Sequence, residues 1–274
     1  MNSPVNTRAL GIVRIATGLL FFQHGAEKLW GFAGGQVDHN FFTLHGFAGP
    51  LEVAGGALII LGLFTRVAAF ILCGQMAVAY FDQWAGKGFF PIANGGEEAV
   101  IFCFTYLWLV TAGPGAWSLD TNKPWEKALE GRLQGWEPWG RAIVRIVLAF
   151  TFTLHGYRHV FGLLPKSAGR AAFVPIAIDK LPLFAGYWEI IGGALLLVGL
   201  FTRLSAALTC IELAAAYLIE SVPRGVWPFR NGGNETLMYL TIFFFVAGCG
   251  AGAFNLDSLR SREKQKATAI AAAG

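Results

Sequence analysis

Residues 14–31 read Arg-Ile-Ala-Thr-Gly-Leu-Leu-Phe-Phe-Gln-His-Gly-Ala-Glu-Lys-Leu-Trp-Gly, and residues 145–162 read Arg-Ile-Val-Leu-Ala-Phe-Thr-Phe-Thr-Leu-His-Gly-Tyr-Arg-His-Val-Phe-Gly. Each copy is an apolar helical run that begins with an arginine and ends with a histidine and further ionisable residues. Ionisable groups inside an apolar span are costly, so they usually have partners or a function. The repeated stretch therefore predicts helices whose polar ends meet polar groups from elsewhere in the chain.

The composition of the whole chain is typical of a helical membrane protein with several spans. Of the 274 residues, 55% are hydrophobic and 14% are charged, and the mean hydropathy is +0.52. A soluble domain has roughly 25% charged residues. The 35 glycines agree with close packing between membrane helices. The formal net charge of +4 is modest, and we ascribe it to membrane topology rather than to nucleic-acid binding.

A second pair of similar segments shows that the chain is an internal duplication. Residues 48–66 and 185–203 share Gly-Gly-Ala-Leu, and both segments end in Gly-Leu-Phe-Thr-Arg. Each copy contains four apolar spans, and an even number of spans gives both copies the same orientation in the membrane. We predict an all-α integral membrane protein with eight transmembrane helices, arranged as two parallel four-helix-bundle repeats.

Composition also divides the chain into four parts. Tryptophan mixed with lysine and arginine predicts a linker at the membrane surface, with a short amphipathic helix from Pro124 to Leu133. The predicted parts are a first four-helix unit at 1–115, the linker at 116–139, a second four-helix unit at 140–257 and a basic cytoplasmic tail at 258–274. Lysine and arginine are more frequent on the side that holds both termini. We therefore predict a multi-pass protein of the inner (plasma) membrane with cytoplasmic termini.

The predicted span directions bring polar side chains together at the outer end of each unit. In the first unit these are His24, Lys28, Glu52, Asn94 and Glu98. In the second unit they are His155, His159, Glu189, Asn231 and Glu235. One interpretation is a structural cluster in which Lys28 pairs with Glu52 and His24 bonds to a carboxylate, because buried charges need partners. The other is a site, open to the outer face, that binds a quinone ring or a small anion.

The functional interpretation assigns roles to these residues. The predicted catalytic residues are His24, Glu52, Glu98, His155, Glu189 and Glu235. The predicted cofactor-binding residues are His24, Lys28, Asn94, His155 and Asn231. Because histidine and carboxylate also ligate divalent metals, a metal site is a further prediction. Its ligands would be His155, His159, Glu189 and Glu235. Haem ligation by His24 and His155 across the two copies is the third cofactor prediction.

Other ionisable residues lie outside these clusters. We expect each repeated arginine to snorkel to lipid headgroups or to pair with an aspartate. The arginines are Arg14 and Arg145, and the aspartates are Asp120 and Asp257. Glu212 stands in the middle of an apolar span where the first copy has Gln75. A carboxylate at that depth is often protonated or functional.

The cysteines give no sequence motif of a redox site. The four residues are Cys73, Cys103, Cys210 and Cys249, and all of them lie in apolar runs without a C-x-x-C spacing. Cysteine in such surroundings behaves as a small hydrophobic side chain. We therefore predict core packing rather than a disulfide-shuttling role.

The pattern R-I-x-x-G-x-x-F-x-x-H-G-x-x-K-L-W-G, followed by L-E-x-x-G-G-x-L-x-x-x-G-L-F-T-R and N-G-G-E, resembles the DoxX family of small four-helix membrane proteins. The resemblance covers residues 8–120 and again 141–257. It implies one four-helix bundle per unit, here fused in tandem. It also implies membrane redox chemistry, since subunits of a thiosulfate:quinone oxidoreductase look similar. The second copy departs from the family pattern at Arg158 and His159.

The leading functional hypothesis is an integral membrane module of a quinone-linked redox system, with a histidine and glutamate site near the outer face of each repeat. It implies contact with the lipid bilayer and with a redox partner protein, and it is compatible with an oligomer. One alternative is a non-enzymatic scaffold or accessory subunit that docks a redox partner. The other is a small-solute transporter, which parallel repeats and Glu212 allow.

Overall fold

The computed structural model describes residues 4–35, 37, 40, 42–162 and 181–260, and within these ranges every regular element is a helix. In chain order the helices are α1 (Pro4–Trp30), α2 (Leu44–Leu61), α3 (Thr65–Gln83), α4 (Pro91–Asn94), α5 (Glu97–Ala112), α6 (Pro124–Leu133), α7 (Glu137–Phe161), α8 (Leu181–Val198), α9 (Thr202–Ala216), α10 (Pro228–Asn231) and α11 (Asn234–Cys249). Short 3₁₀ turns lie between some of them, and α9 continues as one π-helical turn over Tyr217–Ser221. Most of the tail predicted at 258–274 lies outside the described residues.

The predicted spans correspond to α1, α2, α3, α5, α7, α8, α9 and α11, and the predicted surface helix is α6. The fourth span, α5, begins at Glu97, just after the predicted site residue Asn94 and two glycines. Pro91–Asn94 forms a separate turn, because Gly95 adopts a left-handed conformation (φ 89°) and ends it. In the second copy, Gly232 (φ 74°) ends α10 in the same way.

A tight turn joins α2 to α3, and hydrogen bonds to a residue far along the chain, Asp120, stabilise it. Gly62 (φ 66°) ends α2 in the left-handed conformation that glycine adopts without strain. The Asp120 carboxylate accepts hydrogen bonds from the backbone N–H groups of Phe64 and Thr65 at 2.9 and 2.8 Å. A carboxylate at this position satisfies N–H groups that the helix leaves unpaired. The second copy repeats the arrangement with Gly199, Phe201, Thr202 and Asp257.

The helices of the two copies pack in the same pairs. Helix α1 packs against α2 and α3 against α5, and in the second copy α7 packs against α8 and α9 against α11. The copies meet where α1 contacts α11 and where α5 contacts α7. The centre of the molecule therefore consists of α1, α5, α7 and α11, with the other long helices outside. Its core is rich in buried aromatic rings, which include Phe21, Phe102, Tyr106, Phe152, Tyr239 and Phe243.

The repeated arginine fastens each copy internally. Arg14 is fully buried, and its guanidinium donates to five backbone carbonyl oxygens at 2.5 to 2.9 Å. The acceptors are Ile59, Ile60, Pro114, Ala116 and Trp117. In the second copy Arg145 donates to Leu196, Leu197, Ala251, Ala253 and Phe254. The predicted snorkelling is therefore wrong, because the guanidinium satisfies carbonyls at the end of one helix and in the loop after another.

Within the described residues, two helices are long and apolar enough to cross a membrane. They are Asn6–Trp30 and Thr202–Arg224. Three further apolar helices are shorter, and these are Gly46–Leu61, Leu183–Val198 and Asn234–Cys249. Length and composition in the structure thus support two crossings, against the eight that the sequence predicts.

Candidate functional site

Two histidines from different copies meet consecutive glutamates at the centre of the bundle. Glu97 and Glu98 occupy the first turn of α5, and consecutive residues of a helix point about 100° apart. Glu98 reaches His24 near the end of α1, whereas Glu97 reaches His155 near the end of α7. Helix α5 therefore supplies a carboxylate to both copies.

The site around His24 combines groups from both copies. His24 Nε2 lies 2.9 Å from Glu98 Oε1 and 3.0 Å from the side-chain nitrogen of Asn234, in the first turn of α11. The Asn234 nitrogen also donates to Glu98 Oε1. Asn234 is 4% exposed, and its side-chain oxygen has no hydrogen-bond partner among the described residues. The rings of Phe102 and Phe229 stand edge-on to the imidazole at 6.2 and 6.0 Å between centroids.

The site around His155 is a buried hydrogen-bonded chain. His155 Nε2 lies 2.7 Å from Glu97 Oε1, and the Tyr239 hydroxyl donates to the same oxygen at 2.7 Å. The hydroxyl also lies 2.5 Å from Thr151 Oγ1. Glu97 is 1% exposed, and the other members except His155 are buried too. The sequence groups His155 with Glu189 and Glu235, but its hydrogen-bonded carboxylate belongs to the first copy.

A second pair of contacts lies beside each histidine site. Lys28 Nζ is 2.6 Å from Glu52 Oε1, as the sequence predicts, and the Gln75 side-chain nitrogen donates to that oxygen at 3.1 Å. In the second copy His159 Nδ1 lies 2.7 Å from Glu189 Oε2. Glu212 stands on α9 where α3 has Gln75, and its Oε2 atom is buried without a hydrogen-bond partner in the described part of the chain. The two copies therefore place different charges at the same level.

The two predicted asparagines organise loops. The Asn94 side chain donates to Tyr80 and to the carbonyl of Gly88, and it accepts from the backbone N–H of Gly96 at 2.8 Å. Asn231 makes the equivalent bonds in the second copy, to Gly225 and from Gly233. These bonds give both side chains a local structural role at the start of α5 and α11. Glu235 is buried in the first turn of α11.

The predicted metal ligands are divided between different partners. The rings of His155 and His159 are 6.3 Å apart, and each histidine bonds to a different glutamate. Among the residues that the structure describes, no group of three or more His, Cys, Asp or Glu side chains is placed to hold a metal ion.

Contacts between the two copies lie next to both histidines in the chain. Arg230 in α10 donates to the carbonyl of Ala33 at 3.2 Å and contacts Glu27, at the end of α1. The neighbouring Phe229 packs against His24. In the opposite direction, Arg158 of α7 donates to the carbonyl of Ile92 in α4 at 2.6 Å. The short helices before α5 and α11 thus bind the two copies together through residues close to His24 and His155 in the chain.

Sequence reasoning missed several residues of the site, namely Glu97, Asn234, Tyr239 and Thr151. A signal for two of them was available, since Glu97 and Asn234 occupy equivalent positions after the repeated Asn-Gly-Gly. A carboxylate in one copy and an amide in the other indicate positions that face a shared polar site. Tyr239 and Thr151 carry no comparable signal, because they lie inside apolar spans.

Comparisons with known proteins agree with the duplication. The family model for DoxX matches residues 9–83 and residues 140–221. A protein of Haemophilus influenzae is 44% identical over 127 residues, which cover 43% of this chain and 92% of that protein. The inner membrane protein YqjF of Escherichia coli K12 is 30% identical over 126 residues, which cover 42% of this chain and 92% of YqjF. A membrane protein of Mycobacterium tuberculosis, Rv3486, is 30% identical over 39% of this chain and 77% of its own length. No solved structure gives a significant match.

Proposed function

Because this chain belongs to the DoxX family and its relatives include membrane proteins, we propose that it is a multi-pass module of a membrane redox system that binds a quinone at its histidine and glutamate pairs. The observation that carries the proposal is the contact of His24 and His155, one from each copy, with the consecutive glutamates of α5. Such a pair of histidine and carboxylate groups can take up and release protons inside an apolar bundle.

We propose eight membrane crossings, and the exposed apolar surface of the outer helices α3 and α9 supports their contact with lipid. Only 28% of the apolar window at Thr202–Arg224 is buried within the protein, so most of its side chains need another apolar environment. Exposed large apolar side chains also follow one another on α3, namely Val67, Phe70, Ile71 and Val78. Apolar surface of this extent is typical of helices in contact with lipid. The excess of lysine and arginine on the side of α6 and the N-terminus favours cytoplasmic termini.

The residues around His24 offer the chemical groups that a planar ring with polar oxygens would contact. Phe102 and Phe229 supply aromatic rings beside the imidazole, and His24 supplies a nitrogen that can donate or accept. The unpartnered side-chain oxygen of Asn234 is a buried acceptor whose missing bond the hydroxyl of the reduced form, a quinol, would satisfy. A bound quinone would supply two-electron, two-proton chemistry here. The Glu98 carboxylate would hold a proton on or near His24 Nε2.

The second site differs because its carboxylate is already held by a tyrosine. The Tyr239 hydroxyl and His155 both bond to Glu97 Oε1, which fixes the orientation of that carboxylate. Thr151 continues the chain of hydroxyl groups into the core. We propose that these hydrogen-bonded side chains store a proton between Glu97 and His155. A redox partner protein, which the family resemblance implies, belongs to the same proposal as the source or acceptor of electrons.

The test is quinone binding by the purified protein in lipid nanodiscs, measured by titration with decylubiquinone and by solvent extraction of the quinone that copurifies. We expect Glu98→Gln and Glu97→Gln to raise the dissociation constant at least about tenfold, a loss of about 1.4 kcal/mol. Glu130→Gln in the exposed part of α6 is the matched control and should bind as wild type does.

The same samples test the other cofactors. Optical absorbance detects haem, and elemental analysis detects a divalent metal. Saturable quinone binding that the two α5 variants weaken supports the proposal. Absence of quinone binding in wild type, or equal binding by all three variants, overturns it.

A further inference from the structure

Two of the four cysteines are in contact across two helices of the first copy. Cys73 on α3 and Cys103 on α5 have their sulfur atoms 3.6 Å apart, and both residues are free thiols. Both residues are only partly buried. Sequence reasoning gave these residues a packing role because no C-x-x-C spacing is present, whereas the pair is formed by the packing of α3 on α5.

The second copy lacks this pair and so provides an internal comparison. Cys210 occupies the position of Cys73, but Leu240 occupies the position of Cys103. Accordingly, the Cys210 sulfur contacts the backbone carbonyl of Leu240 at 3.7 Å. Packing of the two helices therefore does not require two cysteines, and the second thiol of the first copy calls for another explanation.

We propose that Cys73 and Cys103 form a thiol and disulfide couple that a quinone dissolved in the bilayer oxidises. Both S–H bonds break, one S–S bond forms, and the two electrons and two protons pass to the quinone, which becomes the quinol. This inference rests on the proposed function in that the oxidant is of the same quinone class. It does not require that the quinone bind at His24 during the reaction.

The geometry and the surroundings fit this step. A disulfide needs an S–S distance of about 2.05 Å, so the sulfur atoms must approach by about 1.5 Å, which is within the reach of side-chain rotation. Because both residues are only partly buried, an oxidant in the lipid phase can reach the pair. Helix α3 also carries Gln75, which bonds to Glu52, and α5 also carries Glu98, which bonds to His24. The new disulfide would therefore join these two helices covalently.

The experiment uses the full-length protein, fully reduced, in lipid nanodiscs. After incubation with decylubiquinone, the protein is denatured, its free thiols are alkylated and its intact mass is measured. We expect wild type to fall from four alkylated cysteines to two. Peptide mapping without reductant should then show a link between Cys73 and Cys103. Quinol formation, followed by absorbance, should amount to one quinol for every two thiols lost.

Two variants make the comparison strict. Cys103→Leu reproduces the second copy and should keep all its remaining thiols free. Cys210→Ser leaves the pair intact and should lose two thiols as wild type does. Copper phenanthroline, a strong oxidant, tests the geometry separately from the quinone. If neither oxidant links the two cysteines, the contact is wrong. If only copper phenanthroline links them, oxidation by quinone is wrong.

Quinone titration of the same samples separates this inference from the proposed function. Wild type that binds quinone but keeps four free thiols overturns the couple and leaves the proposed function standing. Disulfide formation in wild type whose quinone binding is unaffected by Glu97→Gln and Glu98→Gln supports the couple and overturns the binding site. Equal thiol loss in Cys103→Leu and wild type overturns the assignment to this pair.

Discussion

The two copies share their folding contacts and differ in the groups that face the site. Arg14 and Arg145 bind equivalent sets of backbone carbonyls, and the turns capped by Asp120 and Asp257 are alike. At the site, by contrast, the first copy has a lysine and a glutamine beside its glutamate, and the second has a histidine and a second glutamate. The pairs of equivalent residues are Lys28 and His159, Gln75 and Glu212, Asn234 and Glu97, and Phe102 and Tyr239.

This comparison separates what the fold needs from what the site does. Contacts that satisfy backbone groups are the same in both copies, because each four-helix unit must close in the same way. The polar side chains that bond to one another at the site differ between the copies, although most of these positions are polar in both. We infer that both copies kept the same helix packing and backbone contacts after the duplication, whereas the side chains of their two sites diverged. Substitutions in the shared contacts should therefore affect stability more than substitutions at positions where the copies differ.

The largest expected effect comes from the shared arginine. Arg14→Ala leaves five buried carbonyl oxygens without their donor, so we expect the free energy of unfolding to fall by at least about 3 kcal/mol. Arg145→Ala should do the same, because its contacts are equivalent. Thermal unfolding in detergent, followed by tryptophan fluorescence, measures both.

Arg132→Ala in the exposed part of α6 is the control and should unfold as wild type does. Arg14→Lys should recover only part of the loss, because an ammonium group has three donors and no planar fork. A melting temperature of Arg14→Ala equal to that of wild type would show that the carbonyls find other partners.

Much of the fold follows from the sequence, because helix periodicity is a local signal and the repeat is found by comparing the chain with itself. The Pro124–Leu133 helix and the order of the spans were predicted from such signals, and the pair of Lys28 and Glu52 followed from span direction alone. The turn at Pro91–Asn94 was not, since an Asn-Gly-Gly sequence suits either a helix cap or a separate turn.

The crossed contacts of the site could not be predicted, for a geometric reason. Span direction gives the depth of Glu97 and Glu98 but not the rotation of α5, and neighbouring positions point about 100° apart. Which of them faces His24 depends on how the two bundles are turned toward each other. The contact of Cys73 with Cys103 has the same origin, since it depends on the rotation of both α3 and α5.

The next effect in size concerns the pair that differs most in charge. Lys28 is 20% exposed and faces a nearly buried Glu52, so Lys28→Met leaves a buried carboxylate without its cation. We expect a loss of about 2 kcal/mol in the free energy of unfolding. His159 is 37% exposed, so the matched His159→Met should cost about 1 kcal/mol. Chemical unfolding in mixed micelles compares them.

A double variant checks the physical cause of this difference. Adding Glu52→Gln to Lys28→Met removes the buried charge as well, and should restore part of the lost stability. Equal losses for Lys28→Met and His159→Met, with no recovery in the double variant, would show that the charge of the pair is not what distinguishes the copies.

A smaller effect, dependent on pH, is expected at the shared aspartates outside the spans. Burial raises the pKa of Asp120, but hydrogen bonds from Thr65, Phe64 and Trp125 outweigh it and hold the pKa below its ordinary value. A pKa lowered by folding stabilises the protein above the unfolded pKa of about 3.9, and this contribution is lost as the pH falls through the folded pKa. Asp120→Asn should therefore cost about 1 to 2 kcal/mol at neutral pH and less in acid.

Melting temperatures between about pH 3 and about pH 7 measure this difference, because this range includes the unfolded carboxyl pKa. Asp257→Asn should behave similarly with a smaller loss, because Asp257 is more exposed than Asp120. Asp82→Asn, at an exposed position of α3, is the control. If Asp120→Asn and wild type lose stability in parallel as the pH falls, the hydrogen bonds to Asp120 do not carry the acid dependence.

The smallest expected effect on stability tests the difference that matters most for the site. Tyr239→Phe gives the second copy the residue that the first copy has at Phe102, and it removes one hydrogen bond to Glu97 Oε1. We expect a stability loss of about 1 kcal/mol or less, because the ring keeps its packing. We also expect quinone affinity to change by severalfold, since Glu97 loses one of the two groups that orient it. Tyr106→Phe, at a buried ring whose hydroxyl makes a 3.4 Å contact with the Thr17 carbonyl, is the matched control. If both variants bind quinone equally, Tyr239 serves the core alone, and the two copies differ at this position in packing rather than in chemistry.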